Sequence, residues 1–137
     1  MKRSPELETL SRTFLTALTQ DGAAPSSFID HNDALTVIGT DPAEWWAGYD
    51  TASRMMAQQR EEAQGVTIDA GDPVAHTQGD VGWVATQPVM HLPDGTAVPF
   101  RVTMVCRKVD GAWKVIQTHA SFGVSNEDTV GKELTVQ

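Results

Sequence analysis

The sequence contains a single cysteine, Cys106, among its 137 residues, so no disulfide can form within the chain. Cys106 lies in an apolar run, which predicts a buried, unreactive thiol and not a nucleophile. No apolar stretch is long enough to cross a bilayer, and the N-terminus lacks the apolar core of a secretory signal. We therefore expect a soluble protein in the reducing environment of the cytoplasm.

Basic residues are also scarce. Lys and Arg total 10 against 18 Asp and Glu, which gives a net charge of -8. A field of this sign repels phosphates, so neither nucleic acid nor a membrane surface is an expected partner. The sequence has no glycine-rich phosphate loop, and its four histidines and one cysteine lack the spacing of zinc ligands. We expect no metal and no cofactor.

The length and composition fit one domain. With 40% apolar residues, the chain can bury a core over residues 1–124. Residues 125–137 have no clear periodicity, so we predict a C-terminal tail there.

Three stretches of the N-terminal half predict helices. Residues 4–6 are typical of a helix start, and apolar residues recur at helical spacing after them. The turn at 39–42 predicts a second helix, which begins at Pro42 and carries the two tryptophans at 45–46. A longer helix is predicted over 51–64, and its inner stripe consists of Ala52, Met55, Met56 and Gln59.

The remaining strong pattern is a pair of hairpins. Asp-Gly pairs at 94–95 and 110–111 interrupt runs rich in β-branched and aromatic residues between Asp80 and Phe122. Each pair is predicted to fill a two-residue loop, which determines the pairing of the strands. The facing residues are then Pro93 with Thr96, Ala85 with Met104, Gln87 with Val102, Val109 with Ala112, and Met104 with Gln117.

Alternation of side chains along these strands predicts two faces. The inner face carries Trp83, Ala85, Gln87, Val89, Phe100, Val102, Met104, Cys106, Val115, Gln117, His119 and Ser121. The outer face carries Val84, Thr86, Met90, Arg101, Thr103, Val105, Arg107, Ile116, Thr118 and Phe122. A polar row inside a mostly apolar surface is typical of a small-molecule site.

Several segments resemble a known family. The ending 111–121, with the segments 38–42 and 44–48, resembles the SnoaL-like branch of the nuclear transport factor two-like superfamily over about residues 7–122. Within that ending, the pattern Trp113-Lys114-x-x-x-x-His119-x-Ser121 is also similar to the association domain of calcium/calmodulin-dependent kinases. The resemblance implies an α+β, cone-shaped fold, in which a curved, mostly antiparallel sheet carries about three helices over its concave face. It also implies a homodimer through the outer face of the sheet.

The residues of the predicted cavity differ from those of the relatives. Catalytic members place a carboxylate on the cavity wall, and none is predicted on the inner face here. The arginines that bind anions in the kinase association domains correspond to Ala85 and Met104. An anionic ligand is therefore not expected.

The predicted site consists of His119 with the amides of Gln87 and Gln117. In one interpretation His119 is a general base or hydrogen-bond acceptor for a small, largely apolar ligand. In the other, the three side chains satisfy one another in a structural network. The predicted ligand-binding pocket is Trp45, Tyr49, Met56, Trp83, Gln87, Phe100, Val102, Met104 and Gln117.

Two functions follow from these interpretations. The first is a small-molecule-binding SnoaL-like domain, with isomerase, cyclase or dehydratase chemistry that needs no metal. The alternative is a noncatalytic dimerisation or ligand-binding module with a vestigial cavity. A cavity filled by Trp83, Phe100 and Met104 would favour the alternative.

Overall fold

The computed structural model describes residues 1–133, which contain two sheets and three α-helices. The helices are α1 (Pro5–Ala17), α2 (Tyr49–Glu62) and α3 (Asn126–Val130), with a short 3-10 helix at Pro25–Ser27. The strands are β1 (Lys2–Arg3), β2 (Thr36–Ile38), β3 (Trp45–Ala47), β4 (Thr67–Asp69), β5 (Val74–Gln78), β6 (Val81–Thr86), β7 (Val89–His91), β8 (Ala97–Pro99), β9 (Arg101–Val109) and β10 (Ala112–Ser121).

The larger sheet has seven strands in the order β1-β5-β6-β9-β10-β2-β3, and the smaller has three in the order β4-β7-β8. Neighbouring strands are antiparallel except β10 and β2, which run parallel. The predicted α+β class and mostly antiparallel sheet are confirmed.

Helix α1 begins where the sequence predicts. The Ser4 hydroxyl accepts a hydrogen bond from the Leu7 backbone N–H at 3.2 Å, and Pro5 occupies the first turn. Leu7 and Phe14 are buried against the sheet. The Glu8 carboxylate pairs with Arg3 and accepts a hydrogen bond from the Ala75 backbone N–H at 3.0 Å, which ties the start of the helix to β1 and β5.

The first hairpin has a three-residue loop, so its predicted register is wrong. The Leu92 N–H donates to the Thr96 carbonyl at 2.9 Å, which leaves residues 93–95 as the loop. Gly95 has a φ of 91°, as expected for the last position of a turn that ends in a left-handed residue. The one-residue difference turns β6 over, so Val84 and Thr86 face inward and Ala85 and Gln87 face outward.

The same hairpin bends at Pro88 and Pro99. Thr86 pairs with Val102 and Val89 pairs with Pro99 in one continuous register, joined by a 3.0 Å hydrogen bond from the Phe100 N–H to the Pro88 carbonyl. Proline has no N–H for a sheet hydrogen bond, so the larger sheet ends here. The outer half, β7 and β8, pairs with β4 instead and folds the sheet around a concave face.

The second hairpin has the predicted two-residue loop. Val109 faces Ala112, and Asp110 and Gly111 both have positive φ values of 49° and 83°, as a type I′ turn requires. A β-bulge then separates Val115 from residue 117.

The bulge turns the second half of β10 over. Before it, Val115 pairs with Cys106, and after it Thr118 pairs with Met104, so Thr118 and the residues that alternate with it face inward. The bulge coincides with a change of backbone partner on the other edge of the strand. The Val115 backbone bonds to residues 28 and 30 at 2.9 and 2.8 Å, whereas β2 pairs with β10 from residue 117 onward.

The predicted second helix is wrong, because residues 45–47 form strand β3 against β2. The Gly39 N–H donates to the Glu44 carbonyl at 2.8 Å, so the segment between them is a hairpin loop. Adjacent tryptophans favour a strand. Trp46 is buried and Trp45 is 66% exposed, on opposite faces of β3. Helix α2 begins at Tyr49, two residues before the predicted start.

An ion pair joins strand β9 to the N-terminal half of the chain. Asp30 is 3% exposed and pairs with Arg107. The hydrogen bond from Arg107 to Asp30 raises the pKa of the guanidinium. Cys106 is buried, as predicted, and burial raises the pKa of its thiol to about 12.

The chain after β10 adds little to the core. Helix α3 is short and has no buried residue. It lies within the predicted tail, residues 125–137, of which 134–137 fall outside the described part of the chain. In that described part, no helix is long and apolar enough to span a bilayer.

Candidate functional site

A cavity of about 360 Å³ lies on the concave side of the sheet. It is enclosed by the last turns of α1 and α2, the inner face of β2, β9 and β10, and the smaller sheet. Its lining residues are Phe14, Leu15, Leu18, Thr19, Val37, Ile38, Gly39, Thr40, Glu44, Trp46, Met56, Gln59, Glu62, Ala63, Val66, Ile68, Met90, Phe100, Val102, Thr118 and Ala120.

Most of the wall is apolar and aromatic. Phe14 comes from α1, Trp46 from β3 and Phe100 from the bend of the long hairpin, and each is less than 10% exposed. Met56 of α2 is 3% exposed and completes this wall. A volume of this size, lined in this way, is at the small end of the range of about 300–1,000 Å³ for small-molecule sites.

One carboxylate is held at the cavity by two hydrogen bonds. Glu44 Oε1 accepts from the Asp41 N–H at 2.9 Å, and Glu44 Oε2 accepts from Gln59 Nε2 at 2.7 Å. A carboxylate has about four acceptor positions, so its oxygens can each accept a further bond from a ligand. The carboxylate is thus oriented before any ligand arrives.

The loop from Gly39 to Glu44 sets this orientation. The Ala43 N–H donates to Asp41 Oδ1 at 2.8 Å, which tightens the turn. A Cβ built on Gly39 would lie 2.7 Å from Glu44 Cβ and 2.6 Å from Glu44 Oε2, so only glycine lets the side chain fold back over residue 39.

The charge of the cavity has one sign. Among residues 1–133, its ionisable lining residues are Glu44 and Glu62, and no Lys, Arg or His lines it. Neutral polar groups come from Gln59, Thr19, Thr40 and Thr118. Within residues 1–133, no group of three or more His, Cys, Asp or Glu side chains is placed to hold a metal ion.

Three residues of the predicted pocket line the cavity: Met56, Phe100 and Val102. Met104 is 1% exposed and packs in the core without lining it. Val102 and Met104 lie on β9, where the predicted alternation holds.

The proposed catalytic residue is not in the cavity. His119 is exposed on the outer face, as is Gln117, because the bulge at residue 116 reverses this end of β10. Gln87 is exposed and Trp83 stacks on His76 at 6.3 Å on the outer face, because the three-residue loop reverses β6. The polar row predicted from these side chains is therefore wrong.

Two further pocket predictions lie at the edge of the molecule. Trp45 points to the outer face, and its neighbour Trp46 lines the cavity instead. Tyr49 stacks on His31, with ring centroids 4.0 Å apart, and does not line the cavity.

Sequence reasoning missed Glu44 and Thr118, and it predicts Gln59 on the inner stripe of the helix over 51–64 without assigning it to the pocket. The sequence analysis places Glu44 in a helix from Pro42, but a turn between the β-prone runs 36–38 and 45–47 indicates a hairpin instead. Gln59 lies one helical turn after the buried Met56 and shares its face, which was visible in the periodicity of α2. No local sequence pattern predicts the bulge that turns Thr118 inward.

The family model of the SnoaL-like domain matches residues 7–125. No curated protein matches the chain. Among solved structures, an NTF2-like protein of unknown function from Pseudomonas putida superposes with a TM-score of 0.73 at 18% identity, and the match covers 98% of each chain.

Two other solved structures carry functional names. A candidate dehydratase of the NTF2-like family from Streptomyces avermitilis matches with a TM-score of 0.75 at 17% identity, over 88% of this chain and 95% of that one. A candidate ketosteroid isomerase from Parabacteroides distasonis matches with a TM-score of 0.70 at 18% identity, over 85% of each chain. At these identities the likeness shows the fold alone, whereas the family match covers most of the sequence, so the chain belongs to the SnoaL-like domain family.

Proposed function

We propose that the cavity binds a small, largely apolar molecule and that the Glu44 carboxylate accepts a hydrogen bond from it. One observation carries this proposal. A carboxylate oriented by Gln59 and the Asp41 N–H lies in a wall that is otherwise mainly apolar. In an apolar cavity, a small number of precisely placed polar groups determines the orientation of the ligand.

The proposal extends to acid–base chemistry at the same carboxylate. An oriented carboxylate beside a bound carbonyl compound can take a proton from the adjacent carbon, which is the step shared by isomerisation and dehydration. The names of the two solved structures above, a candidate isomerase and a candidate dehydratase, are consistent with this class of reaction. Glu44 replaces His119 as the proposed acid–base residue.

Binding can be tested by titrating the protein with small cyclic ketones and alcohols while following tryptophan fluorescence. Trp46 lines the cavity, so a bound ligand changes its emission, and Trp46→Phe should remove most of that change. We expect Glu44→Gln to weaken binding about tenfold, since a hydrogen bond to a charged group contributes about 1.5–3 kcal/mol. Saturable binding by no member of the set would refute the binding function.

Proton transfer can be tested separately. In deuterated buffer, the wild-type protein should speed deuterium incorporation next to the carbonyl of a bound ketone, and Glu44→Gln should abolish the acceleration. If a ketone binds but deuterium incorporation is not accelerated, the proposed binding function stands and the proposed acid–base chemistry is wrong.

The open cavity favours this function over a noncatalytic module with a vestigial cavity. Filling by Trp83, Phe100 and Met104 would favour the module, yet Trp83 lies on the outer face and about 360 Å³ is open.

We also propose that a second copy of the chain covers the outer face of the larger sheet. Val74, Val81 and Val105 are 41%, 47% and 37% exposed there, on strands that no described helix covers. Sedimentation should give a dimer, and Val105→Glu should yield monomers. A wild-type monomer at micromolar concentration would contradict this arrangement.

A further inference from the structure

The electrostatics of the cavity restrict what its ligand can carry. Glu44 and Glu62 are its ionisable lining residues, and the ion pairs formed within residues 1–133 do not include either of them. Glu44 is held only by neutral donors, the Asp41 N–H and the Gln59 amide. Its charge is therefore not neutralised by a neighbouring side chain.

The guanidinium of Arg60, on helix α2, is turned away from the cavity. Arg60 follows Gln59 directly, but its guanidinium donates to the carbonyls of Gly22 and Ala23 at 3.1 and 2.9 Å, and Arg60 does not line the cavity. A bound carboxylate or phosphate would meet two like charges and no compensating base. Like-charge contacts of this kind oppose binding.

The aromatic part of the cavity wall suits a cation as well as an apolar body. Phe14, Trp46 and Phe100 contribute aromatic rings to the same cavity. Aromatic faces attract ammonium groups, most strongly where water is excluded. An acceptor-only carboxylate and aromatic rings together select a donor with positive charge.

We propose that the ligand carries a protonated amine, which pairs with the Glu44 carboxylate while its apolar body lies against Phe14, Trp46 and Phe100. This inference rests on the proposed binding function alone, not on proton transfer by Glu44, and names the chemical class of ligand. Glu62, one helical turn from Gln59, adds to the negative potential at that end. The cavity volume limits the ligand to a compact amine.

Three probes of nearly equal size test the charge directly: 2-phenylethylamine, 2-phenylethanol and phenylacetate. Their affinities are measured by calorimetry at neutral pH and low salt. We expect the amine to bind about tenfold more tightly than the alcohol, as a charge-assisted hydrogen bond predicts, and phenylacetate to bind weakest.

The variants separate the site from the general charge of the protein. Glu44→Gln keeps the shape of the side chain and should reduce the preference for the amine over the alcohol to near unity, while Glu62→Gln should reduce it in part. Glu61→Gln is the matched control, because Glu61 is exposed on the same helix, loses the same charge and does not line the cavity. It should leave the preference unchanged. Thermal unfolding of each variant checks that it is folded.

The outcomes distinguish the two proposals. If all three probes bind with similar affinity, the cavity is a binding site and the amine inference is wrong. The inference is also wrong if the preference survives in Glu44→Gln, or if Glu61→Gln removes it. If none of the probes binds and the ketones and alcohols also fail, the binding function is wrong and the amine inference falls with it.

Discussion

Two buried methionines offer a direct test that the cavity is open in solution. Met56 and Met104 are 3% and 1% exposed, and both belong to the same core cluster. Met56 lines the cavity, whereas Met104 is packed by neighbours and does not line it. The same substitution, methionine to alanine, can therefore be compared at an open and a filled position.

The expected losses of stability differ for a physical reason. Removing the end of a buried methionine loses about 2 kcal/mol of transfer free energy, from three heavy atoms at about 0.8 kcal/mol each. At Met104 the new void adds a further cost, for a total of about 3–5 kcal/mol. At Met56 one side of the side chain already faces open space, so fewer contacts are lost and we expect about 2 kcal/mol.

Equilibrium unfolding in urea, followed by tryptophan fluorescence, measures both changes. Equal slopes against urea would show that each variant unfolds with the same exposure of surface as the wild type, so the midpoints can be compared. Alanine is a better helix former than a strand former, which adds a few tenths of a kcal/mol in the same direction. A Met56→Ala loss as large as that of Met104→Ala would mean that the cavity is filled in solution.

Three further predictions concern the bulge in β10, the loop at Gly39 and the Glu8 carboxylate. His119→Ala and Gln117→Ala should leave the affinity of cavity ligands unchanged in fluorescence titrations, because both side chains lie on the outer face, and a loss above about threefold would contradict the bulge. Gly39→Ala should cost about 1–3 kcal/mol in urea unfolding and weaken ligand binding, because its Cβ would overlap Glu44; unchanged binding would show that the carboxylate needs no such fold-back. The hydrogen bond from Arg3, together with that from the Ala75 N–H, holds the pKa of Glu8 below 4.5. The contribution of Glu8 to stability is therefore present above pH 4.5 and is lost as the pH falls through the lowered pKa. On acid titration, Glu8→Gln should lose stability less steeply than the wild type, and identical profiles would refute this.

Local patterns were sufficient for the elements whose residues interact with close neighbours in sequence. The start of α1 is set by the Ser4 hydroxyl three residues before the N–H it accepts from. The loop at Asp110 and Gly111 follows from the positive φ angles that these two residues adopt readily. The alternation of β9 and the burial of Cys106 follow from one uninterrupted strand.

The predicted site was wrong because a strand face changes with a shift of one residue. The loop at 93–95 is one residue longer than predicted, and the bulge in β10 inserts one more residue. Together they replaced Gln87, Gln117 and His119 at the cavity with Thr86, Thr118 and Ala120 at the inner face.

The sequence by itself determined the family, the first helix, the second hairpin and a chain with acidic charge, because these depend on composition and on contacts a few residues apart. Only the tertiary structure decided which side chains meet in the cavity. Glu44 reaches Gln59 across 15 residues of sequence, and the bulge in β10 lies where its neighbour along one edge changes from segment 28–30 to β2. Contacts between distant segments determine strand register, and register determines which face each side chain occupies.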